Sequence, residues 1–342
     1  MNFYFLCFVF SLLISLVLTP VIRKLAVKFN VMDVPHSSIK THKEPIPYLG
    51  GVAICIGFWV SILIIRLITK FPTGTLFSLR GILFGSMVIA ILGLIDDIKF
   101  KGLHFSTKFI IQIFASGILV FYGIKMDFIT PEWFALLVSI VWVVGVTNAL
   151  NIIDIMDGLS SGIAVIAALG FFFIGLPQEE EIYVNFASIA LAGAILGFIP
   201  YNLSKKYRIF MGDTGALFIG FILSSVALGT RYTDRNNLGL LAPVLILAVP
   251  VYDTLLVSYF RWKKGQSPFL GSKDHFALRL KVHGFTRNKI LGMTYLVAIA
   301  LSLCALMATR VTELYLAAII YLVVIIAGIV LAYQLSKIKI DV

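Results

Sequence analysis

An all-α, polytopic transmembrane helical bundle of about eleven spans is the fold class this sequence predicts. Three observations carry it. Sixty percent of the 342 residues are hydrophobic and only 13% charged; the mean hydropathy is +1.00; and apolar runs recur from end to end without a long polar insert. A soluble domain is nearer a quarter charged, and a bilayer core of roughly 30 Å calls for about 20 apolar residues per helix. Such runs lie at 3–21, 49–68, 81–95, 108–125, 133–150, 159–176, 183–202, 213–230, 238–259, 290–309 and 314–335, the third and sixth being short or punctuated by glycine. Residues 1–342 are expected to form a single integral-membrane domain. The first run lacks a basic leader and a small-residue cleavage site, which predicts a retained helix. Cys7, Cys55 and Cys304 fall in apolar runs with no Cys-x-x-Cys pair, a setting for small core residues and not for a disulfide or zinc framework.

Charge sets the orientation. With the N-terminus outside and the C-terminus cytoplasmic, the inward loops collect twenty-one of the 28 Lys and Arg. The other side keeps Arg66, Lys70, Arg80, Lys125, Arg231, Arg235 and Arg310. Positive residues concentrate on the cytoplasmic side of membrane proteins. The net charge of +11 is explained by this topology and by anionic lipid or substrate, with no nucleic acid required.

The acids divide as well. The outward Asp127, Glu132, Glu179, Glu180, Glu181, Asp234 and Glu313 form no pattern, whereas the inward acids gather at the edges of apolar spans. There an ionised group is costly unless paired, metal-bound or wetted, and marks a functional site by default. Asp96 and Asp97 close the third span; at a helix end they can converge on one ligand, or they can be solvated loop acids beside Lys99 and Lys101. In the stretch Asn148–Gly158, the residues Asn151, Asp154 and Asp157 recur every third position, which lines one broad polar stripe on a helix. Asp213, in Phe210-Met211-Gly212-Asp213-Thr214-Gly215, opens the eighth span either as an N-cap or beside open N–H groups suited to phosphate. Carboxylates, amides and scattered Lys and Arg, without a Cys or His cage, suit a hard cation such as Mg²⁺ that shares oxygen ligands with substrate phosphates. This is equipment for phosphoryl transfer.

Taken in order along nearly the whole chain, these segments resemble the polyprenyl-phosphate N-acetylhexosamine-1-phosphate transferases of glycosyltransferase family 4. The matching segments are Lys43–Gly51, the Asp96-Asp97 pair, Lys108–Gln112, Asn148–Gly158, Phe210–Gly215 and Pro250–Thr254. The resemblance implies transfer of a sugar 1-phosphate from a UDP-amino sugar to a polyprenyl phosphate such as undecaprenyl phosphate, with release of UMP. It also implies a multi-pass protein of the inner cell membrane with its site on the cytoplasmic face, dependent on Mg²⁺ (Mn²⁺ as an alternative), and a homodimer as a candidate assembly. By resemblance, Asp213 is the principal metal ligand with Asp157 beside it. Asp96 is the acid acting on the lipid phosphate, with Asp97 assisting. Asn151, Asp154 and Asp157 shape the uridine and metal side of the pocket, Asp154 and Asp157 count with Asp96 and Asp97 as catalytic acids, and Asn148 is a substrate-binding residue. Lys108 pairs with phosphate, Lys43 is a substrate-binding residue, and His275 and Arg279 bear on the nucleotide sugar.

One segment departs from the family pattern. Where a His-x-His-His run followed by Arg is expected, this chain has His275-Phe276-Ala277-Leu278-Arg279. The segment Pro45–Leu49 and the absent histidine run favour the N-acetylglucosamine 1-phosphate branch over the muramyl-pentapeptide transferases. From another class, a secondary transporter would use intramembrane acids as an ion path. Asp253, about two turns into the ninth span, is the residue that suits it best, but no internal repeat accompanies it.

Overall fold

A computed structural model describes residues 2–35, 44–69, 73–99, 102–177, 182–233, 235–265, 267 and 272–338. Lys43, His36, His42 and the Glu179–Glu181 run lie outside the described residues. The chain divides into two compact units, one up to Thr230 and one from Arg231 onward.

In lipid every backbone N–H and C=O must be satisfied within the segment, which leaves the helix as the local solution for these apolar runs. The first unit holds α1 (Asn2–Lys28), α2 (Gly50–Ile68), α3 (Thr73–Ile98), α4 (Phe105–Phe121), α5 (Glu132–Ile152), α6 (Leu159–Gly175), α7 (Ile182–Asn202) and α8 (Gly212–Gly229). Between α1 and α2 the strands β1 (Met32–Asp33) and β2 (Ile46–Pro47) pair antiparallel, Met32 with Pro47 and Asp33 with Ile46. The second unit holds a 3₁₀ turn (Asn237–Leu241), α9 (Ala242–Ile246), α10 (Ala248–Lys263), α11 (Phe276–Val282), α12 (Arg287–Arg310) and α13 (Leu314–Ser336).

Eight of the described helices are long and apolar enough to cross a membrane, nine if the bent pair Asn237–Ile246 and Ala248–Lys263 is one span; α4 and α6 are shorter apolar helices. The third span is the largest surprise. Expected as a short run at 81–95, it is the 26-residue α3, whose last turn carries both Asp96 and Asp97. The first span likewise continues past 21 to Lys28. The run expected at 238–259 is broken by 71°. Pro250 lacks the N–H that would bond the carbonyl of Ile246, and the break falls at Leu247 between them.

α8 is the centre of the first unit. Its flanks meet α2, α3 and α5 at positions without side chains. A Cβ on Gly51 of α2 would collide with the backbone of Gly215, one on Gly93 of α3 with the backbone of Thr214, and one on Gly220 with Thr147 of α5. Small residues permit this approach, which drives helix association in membranes. The approach stacks the C-terminal end of α3 and the N-terminal ends of α2 and α8 at one end of the unit. There Gly50 N and Gly51 N donate to the carbonyls of Phe210 and Met211 (2.9 and 2.8 Å).

Gly51→Ala therefore lowers the thermal stability of the detergent-solubilised protein by about 1–3 kcal/mol, the usual cost of overpacking. Gly145→Ala, whose Cβ would meet nothing within 4 Å, leaves the melting temperature unchanged or slightly higher. Equal melts for the two variants would contradict the packing described.

Candidate active site

The site is assembled at the end of the first unit where α3 and α5 stop and α4 and α8 begin. Met211, the residue before α8, offers no side-chain cap, so the first N–H groups of α8 need an acceptor from elsewhere. Asp97 supplies it. Its Oδ1 accepts Asp213 N at 2.7 Å, and its Oδ2 accepts Thr214 N at 3.0 Å and Thr214 Oγ1 at 2.6 Å. The adjacent Gly212 has φ +73° with Asp97 packed where its Cβ would be, two reasons for glycine at that position.

Asp96, one residue earlier, points elsewhere. Its Oδ1 accepts Leu103 N at 2.5 Å and its Oδ2 takes the Lys108 ammonium at 2.7 Å. Lys108 Nζ also reaches Asp213 Oδ2 at 2.6 Å, and Asn151 Nδ2 donates to Asp213 Oδ1 at 3.0 Å. So Asp96 and Asp213 share one lysine, while Asp96 and Asp97 do not converge on a common point. Successive helical residues diverge by about 100°, and each finds its own donors.

The polar stripe expected across Asn151, Asp154 and Asp157 is not helical. α5 ends at Ile152, and residues 153–158 turn back into α6 with Gly158 at φ +85°. Asn151 stays on the helix, and the two acids project from the turn. Asn202, at the end of α7, fastens that turn by accepting Gly158 N (2.8 Å) and donating to the carbonyl of Ile209 (3.1 Å). Asp157 forms an ion pair with Arg208, whose guanidinium lies over the Phe210 ring. Asp154 is the crowded member. Burial, then the neighbouring charges of Asp157, Asp213 and Asp97, push its carboxyl up to about 8, and among the described residues it accepts no hydrogen bond.

By formal charge, five carboxylates face two cations here, Lys108 and Arg208, among the described residues. All the donors are oxygens. No three His, Cys, Asp or Glu side chains among the described residues converge in a way that would cage a metal ion by themselves. Such a donor set fits a cation that takes one or two carboxylates and completes its shell with water and phosphate. It does not fit a structural zinc cage.

Other expected site residues are used differently. Asn148 is locked to Gln112 of α4 (Nδ2 to Oε1, 2.6 Å) and to the Val144 carbonyl (2.7 Å), so its amide joins two helices. In the second unit Arg279 is buried and committed to structure. It donates to Asp274 Oδ1 (2.6 Å) and to the carbonyls of Asp274, Leu335 and Ile338, and its guanidinium stacks 3.8 Å from the Phe260 ring centroid. Burial pushes the Asp274 carboxyl up, but Lys264, Ser272 and Arg279 outweigh it and hold it below the ordinary range. His275 is buried against Asp253 (Nδ1 to Oδ2, 2.7 Å). Sequence reasoning missed the partnership of Arg208 with Asp157. Arg208 precedes the Phe210–Gly215 segment by two residues, yet it registered only as one more inward positive charge.

Fold and cluster together define a multi-pass helical membrane protein with an oxygen-rich acid site at the ends of its helices. The comparisons with known proteins make that class specific. Residues 79–231 match the model of glycosyl transferase family 4. The chain is 31% identical over 332 residues, 94% of its own length and 90% of the relative's, to a probable undecaprenyl-phosphate N-acetylglucosaminyl 1-phosphate transferase of Bacillus subtilis (strain 168). It is 32% identical to a decaprenyl-phosphate N-acetylglucosaminephosphotransferase of Mycolicibacterium smegmatis, covering 80% of this chain and 74% of that one. A phospho-N-acetylmuramoyl-pentapeptide-transferase of Prochlorococcus marinus (strain MIT 9312) is 33% identical over 62% of this chain and 63% of its own. This chain belongs to glycosyl transferase family 4.

A carboxyl raised in the folded state is protonated there while still ionised in the unfolded chain. Its cost to folding therefore grows as pH rises from the ordinary carboxylate range, near 3.8, to about 8. Asp154→Asn removes that cost. In EDTA its gain in melting temperature over the wild type is larger at pH 8 than at pH 5. An equal gain at both pH values would show that Asp154 is not crowded by its neighbours.

Proposed function

We propose that this protein transfers N-acetylglucosamine 1-phosphate from UDP-N-acetylglucosamine to undecaprenyl phosphate, releasing UMP, as a membrane step in the synthesis of a cell-wall or surface glycan. The observation that carries the reading is the bonded group Asp96–Lys108–Asp213–Asn151, with Asp97 holding the start of α8 behind it. The named activities of the relatives that match most of the chain supply the substrates. Eleven crossings, with the N-terminus outside and the cluster on the cytoplasmic face of the inner membrane, agree with the charge asymmetry.

Phosphoryl transfer of this kind asks for positioning and charge neutralisation more than for covalent chemistry. An oxygen of the lipid phosphate attacks the phosphorus that bears the sugar; the bond from that phosphorus to the bridging oxygen breaks, and UMP leaves with the electron pair. Lys108, whose ammonium Asp96 and Asp213 fix, is the group we assign to the phosphate. Asn151 orients Asp213. Mg²⁺, which Asp213 would hold together with Asp154, the acid with no hydrogen-bonded partner among the described residues, would neutralise charge on the diphosphate when bound. Asp157, the second ligand expected from the sequence, is held by Arg208 and serves better to shape the turn.

The transporter reading loses its best residue, because Asp253 is tied to His275, and the first unit's acids stand at helix ends. The muramyl-pentapeptide reading is disfavoured because Ala277 and Leu278 replace histidines and are buried on α11.

Purified protein with Mg²⁺, undecaprenyl phosphate and a parallel panel of UDP-N-acetylglucosamine, UDP-N-acetylgalactosamine and UDP-N-acetylmuramoyl-pentapeptide is expected to release UMP fastest with the first. Asp213→Asn is expected to lower that rate roughly 10²–10³-fold, the scale for removing a preorganised electrostatic group, with the melting temperature retained. No UMP from any donor would sink the assignment.

A further inference from the structure

Gln112 is buried on α4, where the other buried side chains are Ala115, Ser116 and Leu119. Its amide meets that of Asn148 on α5 in both directions. Asn148 Nδ2 donates to Gln112 Oε1 at 2.6 Å, and Gln112 Nε2 donates to Asn148 Oδ1 at 3.4 Å. Asn148 Nδ2 also donates to the carbonyl of Val144, one turn back on its own helix, at 2.7 Å. The asparagine is thereby fixed on α5 before it reaches across to α4. Apolar side chains tolerate sliding against one another, whereas a hydrogen bond weakens steeply with distance and angle.

Neither amide belongs to the acid cluster, yet each lies about one turn from a residue that does. Lys108 precedes Gln112 by four positions on α4, and Asn151 follows Asn148 by three on α5. Those spacings put each pair on one helix face. Lys108 and Asn151 then meet different atoms of the same carboxylate. Lys108 Nζ reaches Asp213 Oδ2 at 2.6 Å, and Asn151 Nδ2 donates to Asp213 Oδ1 at 3.0 Å. One acid is therefore held from two helices at once. A slip of one residue between α4 and α5 displaces them by about 1.5 Å and turns the slipped face by about 100°. That is enough to carry one of the two contacts beyond hydrogen-bond range. The amide pair, one turn away, is a directional contact that resists such a slip.

We propose that Gln112 and Asn148 are a positioning pair, which sets the register of α4 against α5 so that Lys108 and Asn151 hold the two oxygens of Asp213 together. Asn148 then acts on the reaction through its neighbours and touches no substrate. The register is a property of the structure alone, while its effect on turnover rests on the function proposed above.

The test compares wild type, the double variant Gln112→Met/Asn148→Leu and the single variant Asn148→Gln, all full-length in detergent. Replacing both partners of a buried hydrogen bond by apolar groups of similar shape can leave stability nearly unchanged, so the double variant keeps the packing and removes the direction. Asn148→Gln keeps an amide pair but lengthens it by a methylene, and decides the matter alone if the double variant unfolds. Acylation by a water-soluble amine reagent, read by mass spectrometry, reports on the Lys108 ammonium that Asp96 and Asp213 shield, with the exposed Lys99 as internal standard. In both variants Lys108 is expected to react about threefold faster or more relative to Lys99, at a melting temperature close to that of wild type. The kcat for UMP release is expected to fall roughly tenfold or more, since an ångström of misplacement can cost still more, with KM for UDP-N-acetylglucosamine little changed. Wild-type labelling of Lys108 in Asn148→Gln would overturn the proposal, and so would wild-type kcat in the folded double variant. A rise in KM alone, with Lys108 labelled as in wild type, would show that Asn148 touches substrate instead. If wild type releases no UMP, the proposed function fails, and the labelling rates still decide whether the amide pair sets the register.

Discussion

The carboxylate of Asp97 accepts three donors at the start of α8, and the placement of the other site groups follows from that contact. A helix beginning inside an apolar bundle has several N–H groups with no partner of its own, and Met211 brings no cap. A charged acceptor is stronger than a neutral one and also meets the positive end of the helix dipole. Because Asp97 sits on α3, the bond ties two spans together end to end and sets the rotation of α8 about its axis. Asp213 then faces Lys108 and Asn151. Glycines at 51, 93 and 212 are what let the backbones come close enough for the bond to form.

That contact explains why adjacent acids have separate work. A pair of neighbouring carboxylates reads naturally as a two-handed ligand. On a helix end they diverge, so one is free to build the scaffold and the other to set a lysine. Lys108 bridging Asp96 and Asp213 keeps two like charges within reach of each other. The same economy of cations leaves Asp154 crowded by acids.

Much of this was legible in the sequence, for physical reasons. Apolar runs of membrane length and acids at their edges are strong one-dimensional signals, and each run found a helix or the bent pair. What the sequence could not reveal depends on where a helix stops or what stands opposite a side chain. The every-third spacing of Asn151, Asp154 and Asp157 implied one helical face, but α5 ends at Ile152. No local rule shows that the turn after it is fastened by Asn202, forty-four residues on. The partner of Asp157 is Arg208, and the partner of Asp253 is His275, both reached through tertiary structure. Arg279 looked like a substrate ligand from its motif, whereas its donors were already taken by Asp274 and the end of α13.

Asp97 holds the first amides of α8. Hydrogen exchange followed by mass spectrometry on wild type and Asp97→Ala, in the same detergent, addresses it directly. Faster exchange confined to residues 212–216 is expected in the variant, with the middle of α8 as protected as before. Unchanged protection at 212–216 would contradict it.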